Sequence, residues 1–261
     1  MAADFERLIS YIENLKDRYY RALSAFHVYQ TLHELNGIDV HGKKKAQQNV
    51  DTIIKYKNYF IVTKEATRVY FFLELAKLFD TSKQSLHINK VVNFTDANRK
   101  KLTAEEFISH NIDRHFAEEL AAQYVGISGQ DIKDIRQMLE DQKEVIEKLI
   151  VYRNSWLAHD DRNRPETLDI YPQEIELLFE VLAKILNALS SKLNSTTSMW
   201  SHVKPDAQKD TSLVFEHLTR FEPFRLKEIE EEAVSELKRI TNEIAARKTL
   251  SNTETQEGSS T

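Results

Sequence analysis

The chain has 261 residues, with 36 Lys and Arg against 41 Asp and Glu, and a formal net charge of −5. That length can bury a sizeable core as one long helical domain or one domain with an appendage. With 5 Gly, 4 Pro and 30% charged residues, a sandwich or barrel full of tight turns is disfavoured and an all-α fold is expected.

The acidic balance excludes a global attraction to nucleic acid. Any RNA binding must then come from local basic groups such as Lys43, Lys44 and Lys45, Arg99 to Lys101, or Arg162 and Arg164. The lack of Cys removes disulfides and thiolate metal sites and suits a reducing compartment. The first residues lack the basic start and apolar core of a signal peptide. The most apolar run, residues 69–79, carries two charges and is shorter than the ~20 apolar residues of a membrane span. A soluble cytoplasmic protein is the expectation.

The first helix is predicted over residues 4–35, with Phe5, Leu8, Ile12, Leu15, Tyr19, Leu23 and Phe26 on one face and a stop at Asn36-Gly37. A polar, basic connection at 41–48 leads to a second helix over 49–79, apolar nearly all round in its last third and therefore central. Residues 81–102 read as a polar connection, in which Val91 to Phe94 is either a short extended piece or a loop anchor. Thr103-Ala104-Glu105-Glu106 has the spacing of a capping box and opens a helix to about residue 123. Ser128-Gly129-Gln130-Asp131 does the same for a helix over about 128–159.

Pro172 fits the first turn of a helix with Ile175, Leu178, Leu182, Ile185, Leu189 and Leu193 on one face. Paired antiparallel with the 128–159 helix, it would present the end of that helix at one end of a hairpin. The expected organisation is a helical domain over residues 1–200, a helical extension over 201–248 whose charged helix begins near 225, and a disordered tail over 249–261 without apolar periodicity.

One run resists a purely structural account: Tyr152-Arg153-Asn154-Ser155-Trp156-Leu157-Ala158-His159-Asp160-Asp161. Arg153 falls four residues after Leu149 and four before Leu157, on a stripe that otherwise carries aliphatic side chains. A guanidinium that cannot lose its charge needs a partner or a purpose there. His159 follows six residues on, roughly 120° around a continuous helix, just before a polar segment and Pro165 end it. A fraying end would let the backbone turn His159 inward. The bland alternative is an Arg that snorkels from a helix end and a His that caps it.

Arg153-Asn154 followed by Ala158-His159, at the end of an apolar helix, resembles the signature of the HEPN superfamily and most of all its abortive-infection (Abi) branch. The stretch from Asn58-Tyr59-Phe60 to Leu75-Ala76-Lys77-Leu78-Phe79-Asp80 is similar to a helix ending in a Leu-Phe-Asp element in such proteins. The resemblance spans about residues 45–195. It implies a HEPN-like bundle of long antiparallel helices, with an additional C-terminal helix in this chain.

The resemblance further implies an RNA endonuclease in which two protomers bring their Arg/His pairs into a composite cleft, without a metal ion or other cofactor. Its place in biology would be a toxin or phage-defence effector, with an antitoxin or regulatory partner. In such an enzyme His159 would act as general base or acid on a ribose 2′-hydroxyl, and Arg153 would hold the scissile phosphate. Asn154 would orient the phosphate or the His, and Asp160 would fix the imidazole tautomer. An Arg on an apolar stripe fits a partner supplied across a dimer interface. Some relatives are silenced by modification of a Tyr two residues after the motif His; Asp161 stands here instead. The rival expectation is a catalytically silent dimerisation or RNA-binding module of the same fold, and a broader one is a helical scaffold.

Other groups read more simply. His110 and His115 are five apart and diverge on a helix, which suits a solvated face better than a metal pair. The lysines at 43–45 suit a solvated turn better than an RNA contact, and Tyr70, Phe71 and Phe72 suit the core.

Overall fold

A computed structural model describes residues 2–158 and 170–257. They form ten α-helices with no strand among the described residues. The chain divides into two compact units, Met1–Thr211 and Ser212–Thr261.

Helix α1 (Ala2–Glu34) is the spine of the first unit. The apolar face expected of it is buried throughout: Phe5, Leu8, Ile12, Leu15, Tyr19, Leu23 and Phe26 are all at most 7% exposed. At roughly 1.5–3 kcal/mol per large apolar side chain, this stripe is a main source of stability. It packs on α3 (Lys57–Leu78) and α9 (Pro172–Asn194). Arg18 pairs with Glu74 and Phe26 meets Phe71, so α1 and α3 run antiparallel. Tyr19 meets Phe179 and Gln30 bonds Glu176, so α1 and α9 do too.

The chain between α1 and α3 departs from expectation. Helix α2 (Ile38–Lys55) includes the basic residues expected in a connection, with a kink at Gly42, whose φ of 75° a side chain would strain. Lys, Ala and Gln are good helix formers, and their propensity prevails once the kink re-aims the helix. Asn49, buried, donates to the Leu35 carbonyl at 2.6 Å and ties α2 to the end of α1.

Residues 88–98 are neither strand nor loop but α4 (Ile88–Asn98). Ile88, Val91, Val92 and Thr95 are buried at helical spacing, and the His87 Nδ1 caps the helix by accepting from the Lys90 amide. β-branched residues are tolerated in a helix, and the buried positions from 88 to 95 follow its period. Thr103 does cap α5 (Ala104–His110), but the helix stops there. The Asn111 side chain bonds the Phe107 carbonyl, Phe116 adopts a left-handed conformation, and α6 (Ala117–Ala122) starts afresh.

The segment leading to Arg153 is likewise two helices. Ser128 and Asp131 form the expected capping box of α7 (Gly129–Glu140), and after a turn at Asp141-Gln142 the chain resumes as α8 (Lys143–Tyr152). A single π-helical turn, Arg153–Ala158, follows. Two ion pairs fix the orientation of α9 against these helices: Asp131 at the start of α7 meets Lys192 near the end of α9, and Lys148 in α8 meets Glu174 in the first turn of α9. The hairpin is therefore antiparallel, as its apolar stripes predict. Ile175, Leu178, Leu182, Ile185, Leu189 and Leu193 are at most 2% exposed.

Helix α10 (Val203–Glu257) begins more than twenty residues before the charged helix expected near 225. No helix of the described residues is long and apolar enough to cross a membrane.

Candidate functional site

The Arg153 turn is assembled where the end of α3 meets the end of α8. Helix α3 ends at Leu78, with Phe79 buried behind it, and Asp80 redirects the chain. The Asp80 carboxylate accepts from the Thr81 and Ser82 amides at 2.8 and 3.3 Å and from the Ser85 hydroxyl at 3.1 Å. This is an Asx-type turn, so its side chain is fixed before it meets any cation.

That cation is Arg153. Its Nη1 lies 3.6 Å from the Asp80 Oδ2, and its Nε donates to the Asn154 Oδ1 at 3.0 Å. Burial alone would raise the Asp80 pKa. The two amides, the Ser85 hydroxyl and the Arg153 charge outweigh it and hold the carboxyl below the usual range. Arg153 thus finds a counter-charge within its own chain.

A second contact braces the turn from behind. Tyr152 stacks at a tilt against Phe72, 4.6 Å between ring centroids, and accepts a hydrogen bond from Arg68. Arg68 also grips Glu65, whose hydrogen bonds raise the guanidinium pKa further and keep it charged. With Tyr152 anchored to α3, the π-helical turn carries Arg153 outward. Such widened turns cluster at functional sites.

Arg153 and Asn154 open onto a groove of about 880 Å³ between the end of α3, α4, α7 and α8. Its floor is apolar, with Phe79, Leu139, Ile146 and Ile150; its charged lining mixes Arg153, Arg136 and Lys143 with Asp80, Glu140 and Glu147. Arg136 is paired with Asp96 and Lys143 with Glu140. The groove of a single chain therefore has no strong net sign.

His159, Asp160, Arg162 and Arg164 lie outside the described residues. Lys43, Lys44 and Lys45 sit on α2 and take no part in lining the groove. His110 packs on Phe5 and His115 on Phe116, so the two are engaged with separate rings. The Leu78-Phe79-Asp80 element stands out in the sequence, but its pattern alone gives Asp80 no role. The available signal was a lone acid closing an apolar helix.

An all-α bundle of long antiparallel helices, with an Arg-Asn turn braced at the end of one helix and a His six residues after the Arg, defines a HEPN protein. The family model described as AbiU2, a HEPN family, matches residues 4–214. The chain belongs to that family, in the abortive-infection branch of HEPN proteins. Neither the comparison with curated proteins nor that with solved structures finds a match.

Proposed function

We propose that this protein is a metal-independent endoribonuclease that acts as a dimer and serves as a toxin or phage-defence effector in the cytoplasm. The observation that supports it best is the preset Arg153. It is held by Asp80 and Asn154 at the mouth of an open groove, on the turn that leads directly to His159.

In this reading the ribose 2′-oxygen attacks the adjacent phosphorus and the bond from phosphorus to the 5′-oxygen breaks. His159 of one copy takes the 2′-hydroxyl proton and His159 of the other returns one to the departing 5′-oxygen. Arg153 holds the non-bridging oxygens by charge-assisted hydrogen bonds, which strengthen as charge builds on them. Asp80 and Asn154 are positioning residues, and Asp160 would fix the imidazole tautomer. The products are a 2′,3′-cyclic phosphate and a 5′-hydroxyl.

Pairing two chains would bring two Arg153 side chains to one phosphate, each with its own Asp80 beside it. Arg162 and Arg164 follow the motif and would extend the path for the RNA backbone. An antitoxin or other regulatory partner would act by covering the cleft.

One observation favours the silent-module reading. Asp80 already neutralises Arg153, as it would if the Arg only stabilised the fold. Labelled RNA incubated with wild type, Arg153→Ala and His159→Ala separates the two. Cleavage lost in both folded variants supports the enzyme, and intact RNA throughout, with binding retained, supports the module.

A further inference from the structure

A second cavity lies between α1, α9 and the residues that lead into α10, and it shares no lining residue with the Arg153 groove. Its volume is about 340 Å³, within the range of small-molecule sites. The walls are aromatic. Tyr19 meets Phe179 and Trp200 edge-on, at 5.7 and 4.7 Å between ring centroids, and Phe26 meets Phe179 at 5.4 Å.

Three polar atoms of the lining side chains have no hydrogen-bond partner among the described residues. Tyr19 is only 2% exposed, and its hydroxyl, kept protonated by burial, pairs with nothing. His27 is 7% exposed and engages one ring nitrogen, with Nδ1 2.8 Å from the Gln30 Oε1. The Gln30 amide nitrogen donates to Glu176, so its Oε1 is the acceptor here and the His27 Nδ1 carries the proton. Burial lowers the His27 pKa, which keeps the ring neutral and leaves Nε2 as a bare acceptor. The third atom is the Trp200 Nε1, a buried donor without an acceptor.

The charged lining adds Glu176 and Glu180, one turn apart on α9, and Lys204. Glu176 is taken by Gln30, whereas Glu180 and Lys204 are exposed and form no ion pair among the described residues. A hydrocarbon occupant would leave the buried donor and acceptors unpaired, at about 1–3 kcal/mol each. A purine brings its own donors and acceptors on a flat ring, whose faces suit aromatic edges. Glu180 can accept from ribose hydroxyls, and Lys204 can donate to a 5′-phosphate. One ammonium beside two carboxylates disfavours a longer phosphate chain.

We infer that this cavity binds a purine nucleoside, free or as its 5′-monophosphate. The site is separate from the Arg153 groove and does not rest on the ribonuclease reading.

Full-length protein is titrated by calorimetry with adenosine, guanosine and their 5′-monophosphates, and with L-phenylalanine as a ring that cannot pair with the buried atoms. Saturable binding of at least one purine ligand is expected, with L-phenylalanine at least tenfold weaker. Tyr19→Phe, which removes only the hydroxyl, and Glu180→Gln, at an exposed position, are each expected to weaken that binding at least fivefold. Lys204→Ala separates the two sources, since it weakens a monophosphate and spares a nucleoside. Arg153→Ala is expected to change nothing. A folded wild type that binds none of the four at millimolar concentration overturns the inference. So does binding that Arg153→Ala abolishes while Tyr19→Phe and Glu180→Gln retain it.

Discussion

Arg153 Nη1 and Asp80 Oδ2 stand 3.6 Å apart, with both side chains only about one-fifth exposed, at 19% and 20%. The pair joins the end of α3 to the end of α8, through two residues more than seventy positions apart in sequence. Asp80 orients the guanidinium while competing for it, so an incoming phosphate must offer more than this carboxylate does.

Replacing Asp80 with Asn keeps an acceptor for the Thr81 and Ser82 amides but removes the charge facing Arg153. RNA cleavage is expected to fall at least tenfold with the melting temperature little changed. Asp80→Ala also loses the turn and is expected to cost about 1–2 kcal/mol by denaturant titration. Equal activity in wild type and Asp80→Asn would remove Asp80 from the site.

Arg153→Lys tests the geometry of the cation rather than its charge. A lysine cannot reach the Asp80 carboxylate, the Asn154 amide and a phosphate with one planar fork. Single-turnover cleavage is expected to drop about a hundredfold, with RNA binding weakened much less. A lysine variant within a few-fold of wild type contradicts the role given to the guanidinium.

Tyr152→Phe keeps the ring on Phe72 and removes the hydroxyl that accepts from Arg68. The expected loss is about 1 kcal/mol. Leu182→Ala, at a position with no exposure on α9, is expected to cost about 2–5 kcal/mol. Both are read from urea unfolding followed by circular dichroism.

Acid should weaken the fold in a defined window. His27 and His87 both have pKa values lowered from 6.5, chiefly by burial; the Gln30 bond opposes this at His27, and the Asp80 charge opposes it at His87. Below 6.5 the unfolded chain binds protons that the folded chain resists, so stability rises with pH there. It is complete above 6.5 and lost as pH falls through the folded values. His87→Asn, which keeps a cap acceptor for Lys90, combined with His27→Gln is expected to flatten the decline between pH 7 and pH 5.

The long apolar stripes were legible because their period survives in space. The α1 and α9 faces are buried residue for residue, and the Ser128 box starts α7 where its spacing says. Breaks were harder to see. The six-residue gap between Leu139 and Val145 is where α7 gives way to α8, and a pattern read as one stripe hid it. Val91 to Phe94 read as either an extended piece or a loop anchor, whereas burial of Ile88, Val91, Val92 and Thr95 on one side makes the segment a helix.

At the site, the sequence marked Arg153 by the mismatch of a fixed charge on an apolar stripe. It did not mark Asp80 as its partner, because a contact between α3 and α8 leaves no periodicity in either segment. The Tyr152 to Arg68 bond was hidden for the same reason.

The most direct measurement is the chemistry of the cut ends. Full-length protein is incubated with single-stranded and structured RNA in excess EDTA, and the product termini are mapped for wild type, Arg153→Ala and His159→Ala. Wild type is expected to leave 2′,3′-cyclic phosphate and 5′-hydroxyl ends, and either variant at least a thousandfold less product. Intact RNA with folded, dimeric wild type, or the same products at the same rate from the variants, would contradict the ribonuclease reading.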